Sequence, residues 1–256
     1  MARRDDNLQA RLERDLAELK LPEIARSYRE VLDEAARKGS SMLEVLATLI
    51  GMEQTARQQR ALQRRLLEAR LPKPKTVTEY DFSFPKRIPK AAILRLFDCD
   101  FITRHGCAVM IGSTGTGKSH LLTALGYTAA ERGYSVRHTR VVDMINHLTT
   151  AQINGLLGKA LKTYVRPSLL LLDELGYLPI DKRGADLLFQ VVAARYETGS
   201  IVLTTNRPFR EWGALFDVDN TLATALIDRL MHHGEALVIQ GDSYRMKDKD
   251  SDPPSA

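Results

Sequence analysis

The chain is short of several things, and each shortage removes a class of protein. Only two cysteines occur in 256 residues, Cys99 and Cys107. They form no C-x-x-C pair and no metal-ligand cluster, which excludes a disulfide-stapled scaffold and a cysteine metal knuckle. Cys107 opens an apolar run and reads as a small buried residue. No apolar run approaches the roughly 18 residues of a membrane helix. The start, Met1-Ala2-Arg3-Arg4-Asp5-Asp6, continues into acids and polar residues where a secretory signal needs an apolar core. A reducing, cytoplasmic location is therefore expected. Aromatics make up 6% of the residues. An acidic surplus is also missing: 37 Lys and Arg stand against 32 Asp and Glu, a net charge of +5. That balance permits a polyanionic partner without requiring one. With 44% apolar and 27% charged residues the composition is globular, neither disordered nor collagen-like.

Residues 1–75 read as a small all-helical N-terminal domain. Pro22 suits the first turn of a helix. Ile24, Tyr28, Val31, Leu32 and Ala35 repeat behind it at helical spacing, and Gly39 is a stop. Ser41-Met42-Leu43-Glu44 has the form of a capping box. Leu43, Leu46, Leu49, Ile50 and Met52 supply an apolar stripe after it, and the helical pattern runs to about Ala69. Leu71-Pro72-Lys73-Pro74-Lys75 breaks it. From 76 to 247 short apolar runs alternate with helical stretches. The runs are 107–111, 135–139, 169–172, 201–205 and 236–239, which suit strands buried on both faces of a parallel sheet. Helices are expected over about 118–132, 183–197 and 222–232. The alternation predicts an α/β layered fold. The segment 248–256 is polar, contains Pro253-Pro254 and is expected to fray.

Gly112-Ser113-Thr114-Gly115-Thr116-Gly117-Lys118-Ser119 matches G-x-x-x-x-G-K-[ST] throughout, between a predicted strand and a predicted helix. Glycines allow the tight turn that converges backbone N–H groups on phosphate oxygens, and the helix N-terminus adds partial positive charge. Lys118 reaches β- and γ-phosphates as a point charge, Ser119 offers a hydroxyl to Mg²⁺, and the His120 N–H faces the α-phosphate. The competing assignment, a plain glycine-rich turn, explains neither the lysine nor the context.

Leu169-Leu170-Leu171-Leu172-Asp173-Glu174 ends an apolar strand in two acids at the carboxyl edge of the sheet, where open α/β folds bind ligands. Asp173 is placed to hold Mg²⁺ through water. Strand alternation turns Glu174 elsewhere, to orient and deprotonate an attacking water. Asn206 ends the run 201–205. It either contacts the γ-phosphate or lytic water, or caps the turn before Pro208. Arg229 falls on a predicted helix and Arg245 just past the last strand. A guanidinium stabilises a transferring phosphoryl group, and a surface ion pair is the competing role for each.

Residues 51–75 hold Arg57, Arg60, Arg64, Arg65, Arg70, Lys73 and Lys75 against Glu53 and Glu68, a local balance of 7 − 2 = +5. Arg57, Arg60 and Arg64 share one helix face. Such a face can neutralise phosphates with little sequence preference; about four contacts give a log–log salt slope near −3.6. A solvated helix packed on the core is the plain alternative. No aromatics interleave with these charges, so base stacking is not the expected mode.

Taken together these strings resemble the AAA+ P-loop ATPases, and within them the IstB-like ATPases, helper proteins of insertion-sequence transposons. The resemblance spans nearly the whole chain. It rests on Glu53-Gln54-Thr55-Ala56-Arg57, on 172–179 (LDELGYLP) and on Leu188-Phe189-Gln190. It continues through Arg195-Tyr196-Glu197, Thr205-Asn206-Arg207-Pro208-Phe209, Asp228-Arg229-Leu230 and Gly241-Asp242-Ser243-Tyr244-Arg245. It implies a five-stranded parallel sheet in AAA+ order without a C-terminal lid, since too few residues follow the last strand to build one. It implies ATP and Mg²⁺ as cofactors, ATP-driven self-assembly on duplex DNA through the N-terminal helices, and a cognate transposase as partner. By the family pattern Asn206 is the first sensor, Arg229 the arginine finger and Arg245 the second sensor. A DnaC-like helicase loader shares the lidless core and stands as the alternative function; such a loader binds duplex DNA poorly. A non-hydrolysing nucleotide switch is disfavoured by the intact Lys118, Asp173 and Glu174.

Overall fold

The computed structural model describes residues 2–216 and 220–244, with backbone only for 2–6 and 220. Arg245 and the predicted polar tail 248–256 lie outside the described residues. Two compact units are present, Met1–Arg64 and Arg65–Ala256. No helix of the described residues is long and apolar enough to cross a membrane.

The first unit is built from α1 (Ala2–Glu18), α2 (Pro22–Lys38) and α3 (Met42–Ala69) up to Arg64. Pro22 opens α2, and Gly39 closes it in the left-handed conformation at φ 68°. The capping box forms: the Ser41 amide donates to Glu44 Oε2 at 2.6 Å and the Glu44 amide to Ser41 Oγ at 3.3 Å. Leu16, Tyr28 and Leu49 form the buried core. The predicted apolar stripe of α3 splits. Val45 and Leu49 turn inward, while Leu43, Leu46 and Ile50 are exposed. Residues 45 and 49 share one face, and 43, 46 and 50 are turned about 60–120° from Leu49 onto the adjoining side; the core with α1 and α2 takes only the first.

Glu53 supplies the polar clamp of this unit. Its buried carboxylate accepts from the Glu23 and Ile24 amides at 2.8 and 3.2 Å, the orphan first-turn donors of α2. Arg60 completes the set at 2.9 Å. Burial opposes ionisation of Glu53, but these hydrogen bonds outweigh it and lower its pKa. Arg57 donates to the Lys20 carbonyl at 3.2 Å, holding the corner between α1 and α2.

The second unit continues with α4 (Lys90–Leu96), α5 (Asp100–Thr103), β1 (Cys107–Gly112), α6 (Lys118–Glu131), β2 (Val136–Arg140), α7 (Val141–Ile153) and α8 (Leu157–Val165). It ends with β3 (Leu169–Leu175), α9 (Lys182–Arg195), β4 (Ser200–Thr205), α10 (Trp212–Leu215), α11 (Asn220–Met231) and β5 (Gly234–Ile239). The sheet is parallel in the order β2-β3-β4-β1-β5. Val109, Ile111, Leu170, Leu172, Ile201 and Leu203 face the core shared with α7, α8, α9 and α11. The alternate residues face α6. Gly126 allows that approach, since a Cβ there would sit 2.8 Å from Leu171 Cδ1.

The segment before β1 packs on α6 within this unit. Arg65 Nε donates to the Ala130 carbonyl at 2.9 Å, and Tyr127 donates to the Pro72 carbonyl at 2.9 Å. The expected linker at 71–75 is irregular as its prolines dictate, yet 65–75 groups with the second unit. Cys107 is half-buried instead of buried, while Cys99 is fully enclosed.

Arg195 is 1% exposed and has no carboxylate partner among the described residues. Its guanidinium donates to the carbonyls of Tyr164, Val165, Pro167, Ser168 and Ser200 at 2.7–3.1 Å. Burial lowers its pKa to about 10, so it remains charged at neutral pH. One planar donor thus satisfies chain ends around β3 and β4 that otherwise lie dry. Replacement Arg195→Leu strands those carbonyls and is expected to cost about 3 kcal/mol or more. Thermal unfolding followed by circular dichroism should fall by roughly 6–12 °C for a unit of this size; an unchanged midpoint contradicts the assignment.

Candidate nucleotide site

Sheet order brings the three sequence elements together. β4 lies between β1 and β3, so the turn after β1, the acids ending β3 and Asn206 after β4 share one edge. The phosphate loop wraps from Gly112 to the start of α6. Gly115 and Gly117 take φ of 87° and 84°. A Cβ at Gly117 would lie 2.4 Å from the Tyr80 ring, and one at Gly112 would lie 2.3 Å from the Ile239 carbonyl oxygen. Backbone conformation and close approach both demand glycine.

Lys118 is buried and folds back on its own loop, donating to the Gly112 and Ser113 carbonyls at 2.6 and 2.7 Å. Burial pushes its pKa down to about 8, against the pull of Asp173. The cleft has a volume of about 320 Å³ and is lined by residues 114–120, Glu174 and Asn206. Gly112 and Ser113 serve as acceptors for Lys118 and do not line it. His120 lines the cleft, and its ring is tied to the Thr76 carbonyl at 2.8 Å.

Asp173 is buried, and Glu174 beside it is exposed. Asp173 Oδ1 accepts from Ser119 Oγ at 3.0 Å, from Thr204 Oγ1, and from the Glu174 amide at 3.1 Å. Alternation explains the opposite exposures, but the backbone departs from a regular strand. The pairing of β3 with β4 shifts register between Leu172 and Leu175, and Glu174 sits at φ 62°. Its amide goes to Thr204 Oγ1 at 3.0 Å. A non-glycine residue in this region costs on the order of 1–3 kcal/mol, and such bulges re-aim a side chain at the end of a strand. Asn206 lines the cleft with Oδ1 unpartnered, an orphan acceptor to which a water O–H can donate.

Sequence reasoning missed one wall. Tyr80, Phe84, Pro85 and Tyr244 line the cleft, with Tyr80 and Tyr244 set against the loop itself. Tyr80 donates to the Thr116 carbonyl at 2.8 Å, and Phe84 meets Tyr244 edge-on at 4.9 Å. Burial raises the Tyr80 pKa to about 12, so it stays a neutral donor. The available signal was composition: Tyr80-Asp81-Phe82-Ser83-Phe84 concentrates three aromatics in an aromatic-poor chain.

Arg229 is not at this cleft. It donates to the Ala225 carbonyl at 3.0 Å and lies 4.7 Å over the Phe189 ring. It lines a small pocket with Cys107 and His233, beside the first residues of β1 and β5 at the opposite edge of the sheet. Of the predicted DNA contacts, Arg57, Arg60 and Arg65 have the internal partners given above. Arg64, Lys73 and Lys75 are exposed, with no hydrogen bond or ion pair among the described residues.

A sequence profile of the IstB-like ATP binding proteins matches residues 14–252. The chain belongs to that family. It is 37% identical to "Insertion sequence IS21 putative ATP-binding protein" of Pseudomonas aeruginosa, over 91% of this chain and 88% of the relative. Its identity to the IS5376 counterpart of Geobacillus stearothermophilus is 36%, over 90% and 92%. Among solved structures it is similar to AMPPCP-bound DnaA from Aquifex aeolicus, with TM-score 0.57 and 23% identity over 70% of this chain and 54% of that one. It is also similar to DnaI, with TM-score 0.55 and 18% identity over 70% and 92%. The IstB-like chain thus has the five-stranded parallel core of P-loop AAA+ proteins, with a helical N-terminal segment.

The Lys118 ammonium must be protonated to meet a triphosphate, so binding above its pKa takes up a proton. ATP affinity of this IstB-like protein is expected to be flat near pH 7. Above about pH 8 it should weaken by up to about tenfold per pH unit. Titration calorimetry at three pH values checks this; constant affinity to about pH 9.5 contradicts it.

Proposed function

We propose that this IstB-like protein hydrolyses ATP to control its own assembly on duplex DNA, and that the DNA-bound assembly recruits or activates the transposase of the same element. The observation that carries the reading is the Ser119–Asp173 pair, set directly between a complete phosphate loop and Glu174. Two hard oxygen donors 3.0 Å apart suit Mg²⁺. Ser119 and Asp173 would hold that ion, which supplies charge neutralisation on the phosphates when bound.

The chain's own residues divide the remaining work. Loop amides and the Lys118 ammonium bind the triphosphate, and Tyr80 and Phe84, lining the same cleft, exclude water from it. Glu174, re-aimed by the bulge, accepts a proton from the attacking water. Asn206 Oδ1 accepts the second O–H of that water and fixes its direction. Water oxygen attacks the γ-phosphorus, the bond to the β–γ bridging oxygen breaks, and ADP and phosphate leave.

Arg229 lies at the opposite edge of the sheet and serves no phosphate of its own subunit. A head-to-tail contact between copies would carry it to the neighbour's cleft, a heterologous arrangement that extends along a duplex. Arg64, Lys73 and Lys75 are available for DNA phosphates and together contribute about −2.7 to the log–log salt slope, for about three contacts. The family relationship to insertion-sequence proteins supports the transposase as partner, and the IstB-like chain is expected to work in the cytoplasm.

Phosphate release with and without duplex DNA tests the reading. Lys118→Ala should abolish nucleotide binding or turnover. Glu174→Gln should bind ATP and stay on DNA while turning over at least about 10²-fold more slowly; rapid turnover removes Glu174 as the base. Arg229→Ala should lose about 10³-fold in turnover with ATP affinity intact, and wild-type turnover removes it as the finger. A protein that releases no phosphate under either condition is a switch, and one that ignores duplex DNA fits a loader.

A further inference from the structure

A second cavity opens on the far side of β3 from the nucleotide cleft. Its volume is about 660 Å³, and it lies between Arg70, the end of β2 and Tyr164 of α8, with Asp173 at one wall. Its charges are unusual. Arg140 is matched by Asp143 in a two-bonded pair at 2.7 and 3.1 Å. Arg70 and Arg137 have no carboxylate partner among the described residues. They lie close enough to repel: Arg70, after burial, is the main influence lowering the Arg137 pKa. Arg137 is fixed by the Glu68 carbonyl at 3.3 Å and by the Tyr164 ring at 5.8 Å, yet its Nε is buried without a partner.

Next to it His138 is 8% exposed, lines the same cavity, and has an unpartnered Nε2. Arg70 is held in the left-handed conformation at φ 53°. Two guanidinium groups without a carboxylate partner and an imidazole nitrogen without a protein partner surround one open space. An anion rich in acceptors suits the two guanidinium groups. Asp173 stands at the wall of the same cavity, with its Oδ1 committed to Ser119, Thr204 and the Glu174 amide.

We infer that Arg70, Arg137 and His138 form a second anion site that takes a phosphate group, and that the group is a backbone phosphodiester of bound DNA. A guanidinium fork matches phosphate oxygens in two places at once, and a cavity open to solvent admits a chain that enters and leaves. The DNA part rests on the function proposed above; the phosphate part does not. A phosphodiester here lies beside the strand that carries Asp173 and Glu174. That placement gives DNA a direct physical route to the hydrolytic edge.

Two probes separate the sources. With full-length protein, ATP analogue and a fluorescent 30-base-pair duplex, affinity is measured over a range of salt. Wild type should show a log–log slope near −3.6, one contact beyond the three exposed cations, and Arg70→Gln or Arg137→Gln should bring it near −2.7. Each variant should bind about tenfold more weakly near physiological salt. Arg70 is exposed, so its variant keeps the test open if loss of Arg137 unfolds the chain. Folded variants with wild-type affinity and slope overturn the DNA assignment while leaving duplex binding itself intact. The second probe is inorganic phosphate at millimolar concentration, read at the His138 ring by NMR. A shift in wild type that is absent in Arg137→Gln supports the pocket even if duplex DNA is ignored, and identifies free phosphate as its ligand. No shift, with no change in DNA binding, overturns the site altogether.

Discussion

The Asp173 carboxylate receives hydrogen bonds from three directions: Ser119 on α6, Thr204 on β4, and the amide of its own neighbour Glu174. Each donor belongs to a different piece of the cleft edge. The phosphate loop, the end of β3 and the end of β4 are therefore held in one network, in a place where Asp173 is almost dry. A buried carboxylate is tolerated only when its lone pairs are filled. That requirement fixes the loop helix against the sheet and also fixes where Glu174 can go.

The bulge at the end of β3 follows from the same constraint. A regular strand gives the Glu174 amide to the β4 backbone. Here Thr204 Oγ1 and Asp173 Oδ1 take it, and the residue adopts φ 62°. The local cost is offset by a network that holds Glu174 open to the cleft while Asp173 stays buried behind it. Lys118 shows the complementary device. It is stored on two loop carbonyls with a lowered pKa, which a triphosphate reverses by supplying charge. Both groups are thus arranged for a ligand that changes their electrostatics, which suits a site whose state depends on what it holds.

Much of this edge was legible in the sequence because it is local. Glycines that need positive φ, a lysine and a serine at fixed offsets, and an apolar strand ending in acids all declare themselves within a few residues. Gly39 and the Ser41–Glu44 box did the same for the helical unit. What could not be read depends on distant contacts. The aromatic wall at Tyr80, Phe84 and Tyr244 is assembled from segments over 150 residues apart in the chain. The α3 stripe looked continuous, but only the residues facing α1 and α2 are covered. The basic run looked uniform, yet Glu53, the Lys20 carbonyl and the Ala130 carbonyl claim three of its arginines. Charge counts along a helix say nothing about such partners. Arg195, an arginine in a run that read as helix, proved to be a buried clamp for five carbonyls.

Nucleotide capture by the loop and growth of copies along DNA form one coupled process in this account. Sedimentation velocity of the IstB-like protein on a long duplex, with ATP analogue, with ADP and with neither, examines that coupling directly. Fast-sedimenting, multi-copy complexes with the analogue alone are the predicted result. Identical sedimentation under all three conditions would contradict the account, because the phosphates held at Lys118 would then have no say in assembly.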